Sequence, residues 1–176
     1  ISGSDESSEQ IIYATGEAVS TSDEKPAVLL KEMQIVQGLP QAYSETTSSP
    51  SSSNILTYSN DLSNPVWVKN RVEVNGNRLS PTPEDNTHYI RQTLVEPASV
   101  LRYTLSLKAK AAEYDRIEIN AINTQGHIDL TNGVFLNFAG YPSGNSVSDY
   151  SITDDGDGWW FIEWQFDSNA FPIQMF

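Results

Sequence analysis

Between residues 101 and 110 the chain alternates without a break: Leu101, Tyr103, Leu105, Leu107 and Ala109 against Arg102, Thr104, Ser106, Lys108 and Lys110. A period of two sends successive side chains to opposite sides of a strand, so this stretch predicts a strand with one side in a core and one in water. Residues 116–122 repeat the pattern with Ile117, Ile119 and Ala121 inward. Residues 159–166 repeat it again, with Trp160, Ile162, Trp164 and Phe166 on one side and Trp159 and Phe161 on the other. Arg71 to Val74 alternates ahead of Asn75-Gly76, a hairpin signal. His88 to Val95 reads as a strand, Ile128 to Leu130 and Gly133 to Phe138 frame a Thr131-Asn132-Gly133 turn, and Leu79 to Asn86 and Ala139 to Ser151 read as loops. Strands separated by turns, with no helical period after residue 54, predict an all-β antiparallel sandwich, a jelly roll.

The pattern changes character before residue 54. Gln10 to Thr15 reads as a short strand, but 26–38 supports two readings. Leu29, Met33 and Val36 share a helical face, with Asp23 or Ser22 as cap and Pro26 in the first turn. Met33 and Ile35 also alternate with Gln34 and Gln37, and Gly38 and Pro40 leave little room for a helix end; strand is the preferred reading. A Ser/Thr/Pro-rich run then reads as a linker. The expected organisation is an extended attachment or assembly segment at 1–45, a linker at 46–53 and the sandwich at 54–176. The apolar residues of the first segment are too few to form a core and too many for water, which predicts docking on another subunit or protein.

The stretch Asn54-Ile-Leu-Thr-Tyr-Ser-Asn-Asp-Leu-Ser-Asn-Pro-Val-Trp-Val-Lys69 turns on Asn/Asp/Ser/Pro chemistry and places one large aromatic, Trp67, toward a core. With His88-Tyr89-Ile90-Arg91-Gln92, Tyr103 to Ala111, Ile128-Asp129-Leu130-Thr131-Asn132-Gly133 and Asp155-Gly156-Asp157-Gly158-Trp159-Trp160, it forms five blocks in order across 54–164. This series resembles the carbohydrate-binding-module-like β-sandwich domains of bacteriophage tail fibres, tail spikes and minor tail proteins. Leu62 and Leu107 stand where that pattern usually has an aromatic, and Pro65 also departs from it. The resemblance implies a virion location, other virion proteins as partners through 1–45, host surface polysaccharide as ligand, and a homo-oligomer, with a trimer favoured as in such fibres.

Charge narrows the partners. The net charge of −13 is spread along the chain: two basic and eight acidic residues fall in 1–53, eight basic and fifteen acidic in 54–176. Such a field repels nucleic acid and anionic membrane. No stretch is long and apolar enough for a membrane helix, so membrane insertion is not expected. The absence of cysteine excludes disulfides and thiolate chemistry. The chain lacks an initiator Met, and Phe171 to Phe176 is an apolar run, which is the look of a processed product or a piece of something longer.

Candidate chemistry follows from the alternation. Sugars are held by aromatic planes flanked by amides and carboxylates, and Trp159, with Phe161 or Tyr150 beside the 154–157 turn, is the candidate ligand-binding patch. Tyr58, Trp67 and Trp160 are expected to fill the sandwich. Asp154, Asp155 and Asp157 form a calcium candidate by spacing alone, without the ligand pattern of an EF-hand; no other metal or cofactor is expected. His88 and His127 lack zinc spacing. Glu118, Asp129 and Glu163 are the carboxylates that a glycosidase reading would pair, but no nucleophile elbow, phosphate loop or dinucleotide fingerprint accompanies them. The expectation is a non-catalytic phage virion protein whose sandwich binds host polysaccharide. The alternatives are a structural adaptor or decoration domain without sugar binding, and a module of a secreted polysaccharide-degrading enzyme.

Overall fold

Every alternating segment found above pairs with a neighbour, and the pairings build two sheets. The computed structural model describes residues 7–15, 27–40, 42, 45, 54–83, 87–95, 101–121, 124–140 and 147–167. Among these are twelve strands and no helix: β1 (Ser7–Thr15), β2 (Val28–Gln37), β3 (Val68–Asn70), β4 (Val72–Asn75), β5 (Arg78–Pro81), β6 (Tyr89–Val95), β7 (Arg102–Ala111), β8 (Arg116–Ala121), β9 (Thr124–Asp129), β10 (Val134–Gly140), β11 (Val147–Asp154) and β12 (Trp159–Asp167). Sheet I runs β10-β9-β8-β1-β6-β3 and sheet II runs β11-β12-β7-β2-β5-β4, all antiparallel. Ile90, Ile117, Ile119 and Ile128 of sheet I meet Leu30, Ile35, Leu105, Leu107, Ile162, Trp164 and Phe166 of sheet II in one core. Each such side chain contributes about 1.5–3 kcal/mol on burial, enough in sum to hold two sheets face to face. The fold is the all-β antiparallel sandwich that the alternation predicts.

The sandwich does not begin at residue 54. β1 lies between β8 and β6 in the middle of sheet I, and β2 lies between β7 and β5 in sheet II. Residues 7–15 and 28–37 are therefore integral strands and not a separate extension. The apolar side chains Leu30, Ile35 and Val36 of β2 need no other subunit, because they are fully buried within this chain. Residues 1–6, 16–26 and the expected linker at 46–53 lie outside the described residues. Two loop expectations are also corrected. Leu79 to Pro81 belongs to β5, where Pro81 sits at the strand's end. Residues 139–140 and 147–151 belong to β10 and β11, whose alternation is hidden by a register shift between Ser148 and Tyr150 with Asp149 at positive φ.

A bulge in β2 accounts for the double reading of that segment. Lys31 pairs with Lys108 and Gln34 with Ser106, so Glu32 and Met33 together face Leu107. Glu32 takes a left-handed φ of 51°. The extra residue switches the inward set from Val28 and Leu30 to Met33 and Ile35, breaking the period of two.

Four polar anchors fix residues 54–69. Asn54, fully buried, donates from Nδ2 to the Met33 carbonyl and accepts at Oδ1 from the amides of Ile35 and Leu56, completing a free edge of β2. The Gln92 amide of β6 accepts from the Thr57 N–H at 2.7 Å and donates to the Thr57 carbonyl at 2.8 Å. These two amides tie 54–57 to both sheets. Trp67 is 2% exposed and donates its indole N–H to the Tyr58 carbonyl, while Tyr58 itself is only partly buried. The Lys69 ammonium closes the turn by donating to the Ser63, Asn64 and Trp67 carbonyls.

A second corner joins the sheets at β9–β10 and β12. Asp129 accepts from the N–H groups of Thr131 and Asn132, and the Asn132 side-chain amide donates to its other oxygen. The turn ends on Gly133 at φ 64°, and Trp160 lies against that glycine so closely that a Cβ there would fall 2.3 Å from the indole ring. The Trp160 N–H donates to the Leu130 carbonyl at 2.7 Å. Glycine is needed twice over at 133, for its φ and for the approach of the ring.

Candidate functional site

Sheet pairing turns the alternation of β12 into a surface. Trp159, Phe161 and Glu163 stand on the outer side of sheet II, opposite Trp160, Ile162, Trp164 and Phe166. Phe161 pairs with Thr153 of β11 and Lys108 of β7, which pairs in turn with Lys31 of β2. Glu163 pairs with Ser151 and Ser106, and Ser106 with Gln34. The expected opposition of Trp159 and Phe161 to the core-facing set is present in the structure.

An open cleft of about 360 Å³ lies on this side, lined by Glu32, Gln34, Ala42, Lys108, Thr153, Asp154, Asp155 and Phe161. The bulge at Glu32 brings that carboxylate to Lys108, whose ammonium lies 3.0 Å from both Glu32 and Asp155. The hydrogen bonds to Asp155 and then Glu32 hold the Lys108 ammonium above its ordinary range. The other end of the face is covered: the Thr104 hydroxyl donates to the Gly38 carbonyl, and Thr104 and Val36, with Ser106 and Gln34 in the row beside Glu163, are buried.

The four tryptophans divide sharply by their indole N–H. Trp67, Trp160 and Trp164 donate to the Tyr58 carbonyl, the Leu130 carbonyl and Thr124 Oγ1. The Trp159 N–H meets no acceptor among the described residues. Its ring is half-buried, with the Lys31 ammonium 4.0 Å from the ring centroid. A cation over an exposed indole contributes about 0.5–1 kcal/mol, so a ligand ring can displace it at small cost.

Tyr150 does not join this patch. It pairs with Trp164 and so springs from the inner side of β11, at the strand's bulge. Its ring is 56% exposed and meets Phe135 of β10 edge-on at 4.7 Å, closing the gap between the two edge strands. Of the two arrangements expected from sequence, the structure assembles Trp159 with Phe161 and sets Tyr150 apart.

The 154–158 turn is spent on its own architecture. Asp154 accepts from the Gly156 N–H, Asp155 holds Lys108, and the Asp157 carbonyl accepts from Lys110. Among the described residues no group of three or more His, Cys, Asp or Glu side chains converges as metal ligands. The calcium candidate Asp154, Asp155 and Asp157 therefore has spacing without convergence. His88, just ahead of β6, donates from Nε2 to the Thr82 carbonyl at 2.9 Å.

Of the three carboxylates of the glycosidase reading, Glu118 and Asp129 share the outer side of sheet I, and Glu163 is on sheet II. Glu118 is on the outer side of sheet I, accepting from Asn120 and Gln125 with His127 Nδ1 at 3.7 Å. Asp129 belongs to its turn, where the Asn132 amide, then the backbone N–H groups and Arg116, hold its carboxyl below the ordinary range against some desolvation. Glu163 is on the far sheet, where burial alone pushes its carboxyl up. Sequence reasoning missed Lys31, Glu32 and Lys108 as neighbours of this site. Two of them come from β2, and no local pattern signals that β2 crosses beside β7. No family model, characterised protein or solved structure matches the chain.

Proposed function

We propose that this chain is a non-catalytic saccharide-recognition domain of a tailed-phage virion, and that it contacts host surface polysaccharide through the outer side of sheet II. The observation that carries the binding reading is Trp159: an indole with an uncommitted N–H, in line with Phe161, beside an open cleft lined by amide, hydroxyl and carboxylate groups. Aromatic planes take the apolar C–H side of a sugar ring while such polar groups take its hydroxyls. The virion assignment rests on the five sequence blocks of 54–164. Their best-defined residues, Asn54, Trp67, Gln92, Gly133 and Trp160, hold the framework, so the blocks speak for the fold and the patch speaks for the ligand. A non-catalytic role fits the placement of Glu163 on the opposite outer side from Glu118, where the two cannot flank one glycosidic bond, and the use of the Asp129 carboxylate within its own turn.

The test is titration of host surface polysaccharide into wild type, Trp159→Ala and Phe161→Ala, with unfolding followed in parallel. Stacking losses of about 1–3 kcal/mol predict roughly 10- to 100-fold weaker binding with a nearly unchanged midpoint. Wild type that binds nothing across a broad glycan panel would leave the sandwich as a structural adaptor.

A further inference from the structure

The same outer side carries a carboxylate that the fold does not use. Glu163 lies between Phe161 and Gln165 on β12, with Ser151 and Ser106 as cross-strand neighbours and Gln34 next in the row. It is half-buried, and among the described residues no hydrogen bond or ion pair reaches it. Desolvating a carboxylate without a donor is unfavourable, and a donor brought by a ligand reverses that cost. The charges around it are lopsided. Lys108 is the cation lining the cleft, against Glu32, Asp154 and Asp155, and two of those three already hold it. Lys31, over Trp159, and Lys110, bonded to the Asp157 carbonyl, lie at the far end of the patch, four residues along β12 from Glu163.

We propose that Glu163 is the hydroxyl-accepting, specificity-determining residue of this face, and that the face selects neutral, diol-bearing saccharides over uronate- or phosphate-bearing ones. This rests on the reading of the outer side of sheet II as the saccharide-binding face. The two carboxylate oxygens accept from adjacent hydroxyls of one sugar ring, while Trp159 and Phe161 supply the planes beside it. An acidic glycan brings a like charge against Glu163, Asp154 and Asp155, which opposes binding by roughly tenfold or more at low salt.

The experiment compares neutral glucan and mannan with polygalacturonate, using wild type, Glu163→Gln and Glu163→Ala, at low and high salt, with thermal midpoints for each protein. Wild type is expected to bind a neutral polymer and to reject polygalacturonate at low salt. Glu163→Gln, which keeps the shape of the side chain, is expected to hold its midpoint and lose roughly 10- to 100-fold in neutral-glycan affinity. Undiminished binding by Glu163→Gln and Glu163→Ala, or a preference of wild type for polygalacturonate, overturns this proposal and leaves the binding face standing. Wild type that binds none of the polymers overturns both together.

Discussion

Trp160 and Trp159 are chain neighbours on opposite sides of β12, and their surroundings differ in kind. Trp160 presses on Gly133 and donates to Leu130, as Trp164 donates to Thr124 further along the same side. Trp159 carries a lysine over its ring, and among the described residues its indole N–H meets no acceptor and the Glu163 carboxylate beyond Phe161 meets no donor. One side of the strand has met its polar requirements among the described residues; the other has not. A buried indole needs its N–H bonded, so satisfaction marks framework, and an unsatisfied group on an open face marks a surface available to a ligand.

That contrast can be broken from the framework side. Gly133→Ala forces a Cβ into the Trp160 ring and a side chain into a left-handed φ; a loss of about 2–4 kcal/mol is expected, read as a drop in denaturant midpoint. An unchanged midpoint would mean that Trp160 is not held at that corner. Asn54→Ala removes the group that bonds Met33, Ile35 and Leu56 at the β2 edge, and about 2–3 kcal/mol should go with it. If Asn54→Ala unfolds like wild type, the sandwich does not depend on its tie to residue 54.

A smaller effect sharpens the comparison through pH. Asp129 is held below the ordinary carboxylate range in the fold, so its contribution is present above the unfolded value and is lost as pH falls through the folded one. Because the group is largely exposed, Asp129→Ala should cost less than about 1 kcal/mol at neutral pH. Its deficit against wild type should shrink in acid. Glu163 has the opposite sign: its carboxyl is raised by burial, so Glu163→Gln should leave stability level or slightly higher at neutral pH while binding falls. Paired melts of the two variants across pH separate a carboxylate that holds the fold from one that does not.

The legible part of the site was the opposition of Trp159 and Phe161 to Trp160 and Ile162, because that depends only on a period of two. Tyr150 was grouped with Trp159 because 139–151 reads as a loop, which assigns no side; as part of β11 it shares the phase of Ile152 and falls on the side opposite Phe161. In β2 a bulge did the blurring: the extra residue at Glu32 made a strand look half helical.

Local pattern alone determined the class of this protein: strands where apolar residues alternate, turns at Asn75-Gly76 and Thr131-Asn132-Gly133, and one side of β7 and β12 in a core. These follow from interactions between residues a few positions apart, which the sequence carries in full. The tertiary structure decided what long-range pairing alone fixes. It placed β1 and β2 in the middle of the two sheets, brought Glu32 and Lys31 from β2 against Lys108 and Trp159, and gave Glu163 no donor among the described residues. Those neighbours lie 76 or more positions apart in the chain, and only the closure of the sheets brings them together.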